Sequence, residues 1–162
     1  MENKSKTILG LLRIGMGWIF LWAFVDKLLG LGFATAPEKS WLAGGSPTLG
    51  FLKFAAKGPF VETFHAMAGN PIVDWLFMLG LLLIGLALLL GIGVRIGGYS
   101  GALLMLFMYL ASIQPENNPL LDDHIIYGLL LLLFTTANAG KYLGFGSAWA
   151  RTPLVQKNPI LE

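Results

Sequence analysis

Four long apolar stretches alternate with polar segments that are rich in glycine and proline along this chain. Each stretch is close to the roughly 20 residues that a helix needs to cross the hydrocarbon core of a bilayer. Apolar runs of this length are typical of membrane spans, because a soluble helix keeps a polar face. The pattern predicts an all-α fold, an integral membrane four-helix bundle formed by one domain over residues 1–162, with spans at residues 7–31, 72–90, 96–113 and 120–137.

The longest polar segment, residues 32–69, has an apolar pattern of its own, and Gly58 and Pro59 divide it into two halves. We predict two short helices, at about residues 48–57 and 60–68, that lie on the outer membrane surface with phenylalanine side chains inserted. They would either form a lid over a site or only shield the outer mouth of the bundle. The residues that form the apolar pattern are Phe51, Phe54, Ala55, Phe60, Phe64 and Met67.

The predicted spans have recognisable first residues. Asn70 and Pro71 precede the second span, which fits the preference for Asn at the N-cap and for Pro in the first turn of a helix. The fourth span has two candidate starts of the same kind. These candidates are Asn118 with Pro119, or Asp122 with Asp123.

Glycine residues mark the connection between the second and third spans. Gly91 and Gly93 allow only a very short hairpin, so these two helices should be antiparallel neighbours. Gly93, Gly97 and Gly101 then share one helical stripe, against which another helix can pack closely. The stripe would serve packing within the chain or contact with a second copy in a homo-oligomer.

The distribution of Lys and Arg predicts how the chain crosses the membrane. With four spans, one side of the membrane holds most of the basic residues, and basic residues concentrate in cytoplasmic segments. Both termini are therefore predicted to be cytoplasmic in a multi-pass protein of the cell membrane. The link at residues 114–119 has no basic residue, which fits an outward-facing turn. The larger group is Lys4, Lys6, Arg13, Arg95, Lys141, Arg151 and Lys157, and the smaller group is Lys27, Lys39, Lys53 and Lys57.

Composition narrows the classes of function. The chain is 56% hydrophobic and its mean hydropathy is +0.70, which is more apolar surface than one soluble core of this size could bury. The net charge of +2 is small and the basic residues are scattered, so nucleic acid is not expected as a partner. The absence of cysteine excludes thiol redox chemistry and cysteine-held iron–sulfur clusters. No metal site is predicted, because His65 and His124 form no paired-ligand motif.

Charged residues in or near a span are candidates for function because their burial in lipid is costly. Arg13 lies one or two turns inside the first span, where we expect its side chain to extend to lipid phosphates. Trp18, Trp22 and Asp26 recur every four residues, so the two indole rings could form an aromatic wall. Lys27 lies on an adjacent face. It would meet an acidic residue of another helix, meet an anionic ligand, or anchor the span at the level of the headgroups.

The densest polar cluster opens the fourth span. One of Asp122 and Asp123 should cap this helix. His124 and Tyr127 lie three residues apart on a shared face, and a histidine held by a carboxylate can relay protons or hydrogen-bond a quinone carbonyl. We expect this cluster to converge with other charged side chains in one pocket. The side chains predicted at this outer membrane face are Lys27, Asp74, Asp123 and His124.

The sequence resembles the DoxX/DoxD family of small four-span membrane proteins over nearly its whole length. Residues 13–17 (RIGMG) followed by Lys27, and residues 118–127 (NPLLDDHIIY), carry the likeness to the family. Residues 41–47 (WLAGGSP) and 74–80 (DWLFMLG) look like the DoxD branch.

The resemblance implies a membrane subunit of a quinone-linked oxidoreductase. DoxD proteins are associated with thiosulfate:quinone oxidoreductase, in which electrons from thiosulfate reach a membrane quinone and tetrathionate forms. The expected cofactor is then a quinone, and a second oxidoreductase subunit is the expected partner. If the resemblance carries function, Lys27 and Arg13 would hold an anion or a quinone oxygen, and His124 with Asp123 would manage protons. Together with the placements argued above, the predicted cofactor-binding residues are Lys27, Trp22, Arg13 and Asp74. The predicted catalytic residues are His124, Asp123 and Tyr127.

A second hypothesis is a non-catalytic membrane module, such as an assembly factor, a chaperone or a lipid-binding protein that recruits another membrane protein. Its glycine-lined helices and amphipathic loop would supply the docking surfaces. The quinone hypothesis requires a route for electrons, because a cysteine-free chain must bring thiosulfate to quinone directly or depend on a partner with a redox centre. The sequence leaves both hypotheses open.

Overall fold

The computed structural model describes residues 2–113 and 120–162, which fold as helices joined by irregular segments. Apart from an isolated bridge between Lys57 and Ser112, these residues contain no strand. The predicted all-α class is therefore confirmed. The α-helices are α1 (Glu2–Leu29), α2 (Val61–Met67), α3 (Pro71–Leu90), α4 (Val94–Ala111), α5 (Asp123–Thr136), α6 (Gly146–Trp149) and α7 (Pro153–Lys157).

The four long helices, α1, α3, α4 and α5, pack around one apolar core. α1 packs along α3, α3 lies beside α4, and α4 packs along α5, with neighbours antiparallel. Each of these helices contributes apolar side chains to the centre, as lipid-embedded helices do when they associate by close packing. The core residues include Met16, Phe20, Met78, Leu81, Ile84, Leu88, Val94, Met105, Leu131 and Phe134.

Three of the long helices, α1, α3 and α4, are long and apolar enough to cross a membrane, which indicates a membrane protein. α5 is apolar but has only 14 residues, so it extends about 21 Å against roughly 30 Å of hydrocarbon. The fourth span predicted at residues 120–137 is thus shorter than expected. The helix begins only after Asp122, and it stops just before Asn138, whose backbone is left-handed with φ of 50°.

The ends of α3 are set by the residues that the sequence indicates. The Oδ1 atom of Asn70 accepts a hydrogen bond from the Ile72 N–H at 2.9 Å, and Pro71 is the first helical residue. Gly91 and Gly93 both have left-handed backbones, with φ of 73° and 66°, which L side chains rarely adopt. These glycines allow the predicted tight hairpin between α3 and α4.

The alternative start of the fourth helix at Asn118 and the link at residues 114–119 lie outside the described residues.

The bundle has two chemically different ends. We call the end where α1 finishes and where α3 and α5 begin the loop end, because residues 30–70 cover it. The opposite end is the tail end, and residues 139–162, the tail segment, cover it. Gly10 near the start of α1 packs against Tyr142 of the tail segment. The first turns of α1 and the tail segment therefore lie at the same end of the bundle.

The long loop contains the two predicted helices, both shorter than expected. A π-helical turn covers Phe51–Ala55, and α2 covers Val61–Met67. Their buried side chains form a small second cluster that continues onto α4, and the Lys57 N–H donates to the Ala111 carbonyl at 2.8 Å. Phe64 is buried in this cluster, whereas Phe54 is 81% exposed. The loop is therefore fixed to the bundle on one side and presents an aromatic side chain on the other.

The contact between α1 and α3 depends on two facing glycines. A methyl group placed on Gly17 would lie 2.7 Å from the main-chain nitrogen of Leu89, and one on Gly85 would lie 2.8 Å from that of Leu21. Distances this short do not occur between real atoms of this kind, so the two backbones are as close as glycine allows. Close backbone approach at small residues is a usual basis of helix association in membranes.

The glycine stripe of α4 packs within the chain. A methyl group on Gly97 would meet Ala87 of α3 at 2.9 Å, and one on Gly101 would meet Leu131 of α5 at 3.1 Å. Gly97 and Gly101 are both buried. The structure therefore favours the internal use of this stripe over the homo-oligomer contact that the sequence left open.

We predict that Gly17→Ala and Gly85→Ala each lower the free energy of unfolding by about 1–3 kcal/mol, because the added methyl group forces the two helix backbones apart. Thermal unfolding in detergent micelles measures the effect. Gly15→Ala is the matched control on the same helix, because no atom lies within 4 Å of the position that its methyl group would occupy. Equal loss of stability in all three variants would show that the Gly17–Gly85 contact is not the cause.

Candidate functional site

The side chain of Asp26 ties the end of α1 to the turn that follows it. It is 1% exposed. Its Oδ1 accepts from the Phe33 N–H at 3.3 Å and its Oδ2 accepts from the Ala34 N–H at 2.9 Å. A buried carboxylate needs such donors, because burial without them is costly. Asp26 is therefore used to close the turn at residues 30–34.

The turn brings Phe33 against the aromatic pair predicted on α1. The Trp18 and Trp22 rings lie 5.7 Å apart, and the Trp22 and Phe33 rings meet edge to face at 5.1 Å. Trp18 is 54% exposed and Phe33 is 75% exposed. The predicted aromatic wall is thus present, but it faces away from the bundle core. Phe33 links this aromatic pair to Asp26, because its ring contacts Trp22 and its N–H donates to the Asp26 carboxylate.

Asp74 holds the long loop onto the first turn of α3. Its Oδ1 accepts hydrogen bonds from the Thr48 hydroxyl at 2.6 Å, the Thr48 N–H at 3.1 Å and the Ser46 hydroxyl at 2.9 Å. Asp74 is 6% exposed. The sequence predicts a cofactor-binding role for Asp74, whereas the structure shows its Oδ1 occupied by the protein's own loop.

Lys27 faces the interior of the bundle at the loop end. Arg13, Phe20 and Lys27 are spaced by seven residues, or two helical turns, so they share one face of α1. Arg13 and Phe20 are buried, and Lys27 is half-buried. The acidic partner expected from another helix is not found, because no carboxylate among the described residues forms an ion pair with Lys27. The backbone carbonyl of Lys27 accepts from the Trp41 N–H at 2.9 Å.

A second aromatic pair joins this region to α3. Trp41, whose N–H is bonded to Lys27, meets Trp75 edge to face at 4.5 Å. Trp75 follows Asp74 directly, so Lys27 and Asp74 lie at the same end of the bundle, as predicted. No hydrogen bond or ion pair between Lys27, Asp74 and His124 is present in the part of the chain that the structure describes. These side chains therefore lie at the same end of the bundle, as predicted, but they do not contact one another directly.

The acidic partner of His124 is Asp122. The Nδ1 atom of His124 lies 2.7 Å from Asp122 Oδ2, while Asp122 Oδ1 caps α5 by accepting from the Ile125 N–H at 3.3 Å. The expectation that Asp123 would hold His124 is corrected by this geometry. Asp122 occupies the N-cap position, where its side chain turns back to the first turn of the helix. Asp123, the first residue of α5, is exposed. Tyr127 packs against the apolar core.

The Asp122–His124 pair can exchange protons. An ionised carboxylate only accepts hydrogen bonds, so Nδ1 must be the donor, and Nε2 of the neutral ring is then an acceptor. Nε2 has no hydrogen-bond partner among the described residues. The His124 side chain is 23% exposed. The ring is therefore fixed in orientation while its second nitrogen remains available.

Arg13 is completely buried at the tail end, where it does not reach lipid phosphates as expected. Its Nη2 donates to the carbonyl groups of Tyr142 at 3.1 Å and Leu143 at 2.9 Å. Its Nε and Nη1 have no partner among the described residues. The carboxyl ends of α3 and α5 lie at this end of the bundle, and their partial negative charge stabilises a cation.

Arg13 is also remote from the other predicted cofactor-binding residues. Fourteen residues of α1 separate it from Lys27, which corresponds to about 21 Å along the helix. The two cations cannot hold the same small ligand. Arg13 serves to fix the tail segment, and Lys27 belongs to the loop end.

The sequence did not indicate the hydrogen-bond partners of Asp74 and Arg13. Ser46 and Thr48 lie on either side of Pro47, a pattern typical of a turn whose hydroxyl groups bond nearby polar atoms. That pattern could have indicated a polar role for these two residues but not Asp74 as the acceptor. No local pattern indicates Tyr142 and Leu143, because Arg13 uses their main-chain carbonyl groups.

No family model, no curated protein and no solved structure matches this chain.

We predict that Asp74→Ala accelerates amide hydrogen exchange across residues 46–56 by about tenfold or more, because three donors lose their acceptor. Asp74→Asn retains a carbonyl oxygen at this position and should show a smaller effect. Glu62→Ala, which removes an exposed carboxylate from the same loop, is the control. Unchanged exchange in Asp74→Ala would mean that the hydrogen bonds of Asp74 do not hold the loop.

We predict that Arg13→Met releases the tail segment and makes the bond after Lys141 more sensitive to trypsin, because two carbonyl groups lose a charged donor. Limited proteolysis measures the cleavage rate. Lys4→Met, which removes an exposed cation from the same helix, is the control and should leave the rate unchanged. A tail segment that stays resistant in Arg13→Met would contradict the assigned role.

Proposed function

We propose that this chain is the membrane subunit of a quinone-linked oxidoreductase, with a small sulfur oxyanion such as thiosulfate as the electron donor. The observation that carries the proposal is the hydrogen-bonded Asp122–His124 pair at the loop end, with Oδ2 and Nδ1 at 2.7 Å. The resemblance to the DoxX/DoxD family supports the same chemistry. The apolar helices supply the lipid environment in which a membrane quinone dissolves.

The atoms at the loop end fit a quinone carbonyl oxygen. Once protonated, His124 Nε2 can donate a hydrogen bond to that oxygen. The partial exposure of the ring, 23%, permits approach of a ligand while part of the ring stays out of water. Histidine is a common proton donor and acceptor in catalysis.

Two thiosulfate ions that join as tetrathionate release two electrons, and these, with two protons, convert a bound quinone to a quinol. In the proposal His124 delivers a proton from Nε2 and takes one up again from water. Asp122 holds Nδ1, which fixes the orientation of the ring. Because Asp122 also caps α5, the orientation of the pair is fixed to the helix itself.

Lys27 would supply the positive charge at this end. Lys27 shares the inner face of α1 with Phe20, and its side chain forms no ion pair with a carboxylate of the described residues. A half-buried cation in this position attracts an anionic donor or a quinone oxygen more strongly than an exposed one, because the local dielectric is low. In this proposal Lys27 positions a ligand and His124 exchanges the protons.

We also propose that α5 with its flanking residues forms a fourth crossing, and that the tail end is cytoplasmic. α5 runs antiparallel to α4, and the first turns of α1 lie at the same end as the tail segment. The tail end carries the larger of the two groups of basic residues, which is typical of the cytoplasmic side. A short α5 would require local thinning of the bilayer or flanking residues at the interface.

The alternative, a non-catalytic module that recruits another membrane protein, is favoured by the exposed rings of Trp18 and Phe33, which both contact Trp22. Large aromatic side chains are enriched where proteins associate. In that case Trp18→Ala with Phe33→Ala would reduce recovery of a partner and leave quinone binding unchanged. The quinone proposal expects the reverse pattern when His124 is changed.

We predict that His124→Ala abolishes quinol formation and weakens binding of decylubiquinone, whereas His124→Gln retains part of the binding and loses turnover by about 100-fold or more, because an amide cannot exchange protons. Binding is measured by titration of the purified protein, and turnover by the ultraviolet change on quinone reduction with thiosulfate. His65→Ala is the matched control, because His65 is exposed on α2 at the same end.

Three outcomes are distinguishable. Loss of turnover in both His124 variants, with His65→Ala unchanged, supports the proposal. Equal activity in wild type and His124→Ala contradicts it. Failure of wild type to bind decylubiquinone also contradicts it.

A further inference from the structure

The tail segment is folded back onto the bundle and held near both of its ends. Near its start, the Phe145 N–H donates to the Leu90 carbonyl at 2.8 Å, and Arg13 binds the two preceding carbonyl groups described above. Near residue 162, the Arg95 N–H donates to the main-chain oxygen of Glu162 at 2.9 Å, and its guanidinium lies 3.2 Å from the Glu162 carboxylate. The segment is therefore an ordered surface of the bundle.

The middle of the segment is anchored as well. Val155 of α7 is 4% exposed, and the Trp149 indole N–H donates to the Leu161 carbonyl at 2.6 Å. These contacts fix one side of the segment inward. The side chains on its other side are consequently held outward, and they do not collapse onto the bundle.

Large apolar side chains of the segment lie on the surface. Their exposed fractions are between 53% and 62%, although each lies in an ordered segment next to the ends of apolar helices. Apolar side chains held outward at this position match the boundary between headgroups and acyl chains. They are Leu143, Phe145, Leu154 and Ile160.

The charges of the same segment are almost all positive. Glu162 is its sole acidic residue, and it is ion-paired with Arg95 and Lys141. Arg151 and Lys157 are exposed, and neither has an ion-pair partner among the described residues. The segment therefore exposes two cations without an ion-pair partner together with four large apolar side chains, and its one acidic residue is paired. We call this surface, Arg151 and Lys157 with the four apolar residues above, the basic face.

We propose that the basic face binds the anionic headgroups of phospholipids in the leaflet at the tail end. Arg151 and Lys157 contact lipid phosphates and anionic headgroups, while the neighbouring apolar side chains enter the adjoining acyl region. Each basic side chain near an anionic bilayer surface adds to the attraction. The inference is independent of the quinone proposal, since it involves the opposite end of the bundle.

Lipid is the occupant that these observations favour. The tail segment is hydrogen-bonded to the adjoining ends of α3 and α4, at Leu90 and Arg95, and both are helices long and apolar enough to cross a membrane. If these helices cross the membrane, the basic face lies near the membrane surface. Its cations complement anionic headgroups, and its apolar residues complement acyl chains. A soluble acidic partner would leave the apolar side chains without a matching surface.

The test uses the full chain reconstituted in phosphatidylcholine vesicles with small amounts of spin-labelled phosphatidylglycerol or spin-labelled phosphatidylcholine. Electron paramagnetic resonance gives the relative association constant of each label with the protein. We expect the wild type to prefer phosphatidylglycerol by about twofold or more, as two unpaired cations should produce. The preference should fall toward one in Arg151→Gln/Lys157→Gln and at high salt.

The matched control is Lys39→Gln/Lys53→Gln, which removes two exposed lysines from the loop end. It should keep the preference for phosphatidylglycerol, and circular dichroism checks that both double variants remain helical. An equal preference in wild type and Arg151→Gln/Lys157→Gln would overturn the proposal. So would a preference that only the control variant removes, or one that high salt leaves unchanged.

Discussion

The constraint on which this structure depends is that a buried charged group must find hydrogen-bond partners inside the chain. Three charged side chains meet that requirement at the ends of the helices. Asp26 and Asp74 accept hydrogen bonds from loop groups at the loop end, and Arg13 donates to main-chain carbonyl groups at the tail end. In each case the charge fixes a connecting segment to the bundle. Arg13 and Asp74, for which the sequence suggested a functional role, thus have a structural one.

Two further side chains at the loop end, Lys27 and His124, still have polar atoms that could contact a ligand. Lys27 lies on the inner face of α1 beside Asp26 and forms no ion pair among the described residues. His124 keeps one ring nitrogen available while Asp122 holds the other. Glycine contacts between the helices bring the backbones close, so the bundle that carries these groups is tightly packed. A rigid bundle with a fixed histidine at its end is a suitable support for proton exchange with a ligand that arrives from the lipid.

Features coded by local sequence were predictable. The all-α class, the N-cap at Asn70 and the tight hairpin at Gly91 and Gly93 follow from residue type at adjacent positions, and the structure confirms them. Features that depend on distant partners were not. Arg13 bonds carbonyl groups more than a hundred residues away, and main-chain acceptors have no sequence signature. The start of α5 was placed three residues too early, because Leu120 and Leu121 extend the apolar run back beyond the cap at Asp122. Which of Asp122 and Asp123 caps α5 and contacts His124 depends on whether the helix begins one residue earlier or later.

The central claim is that the loop end binds a membrane quinone, and the most direct measurement is the quinone content of the gently purified wild-type protein. Ultraviolet difference spectra on chemical reduction, together with mass spectrometry of an organic extract, give the amount and the identity. The account predicts stoichiometric quinone that is retained through purification or restored by added quinone. Protein that holds no quinone, even after incubation with an excess, would contradict the account.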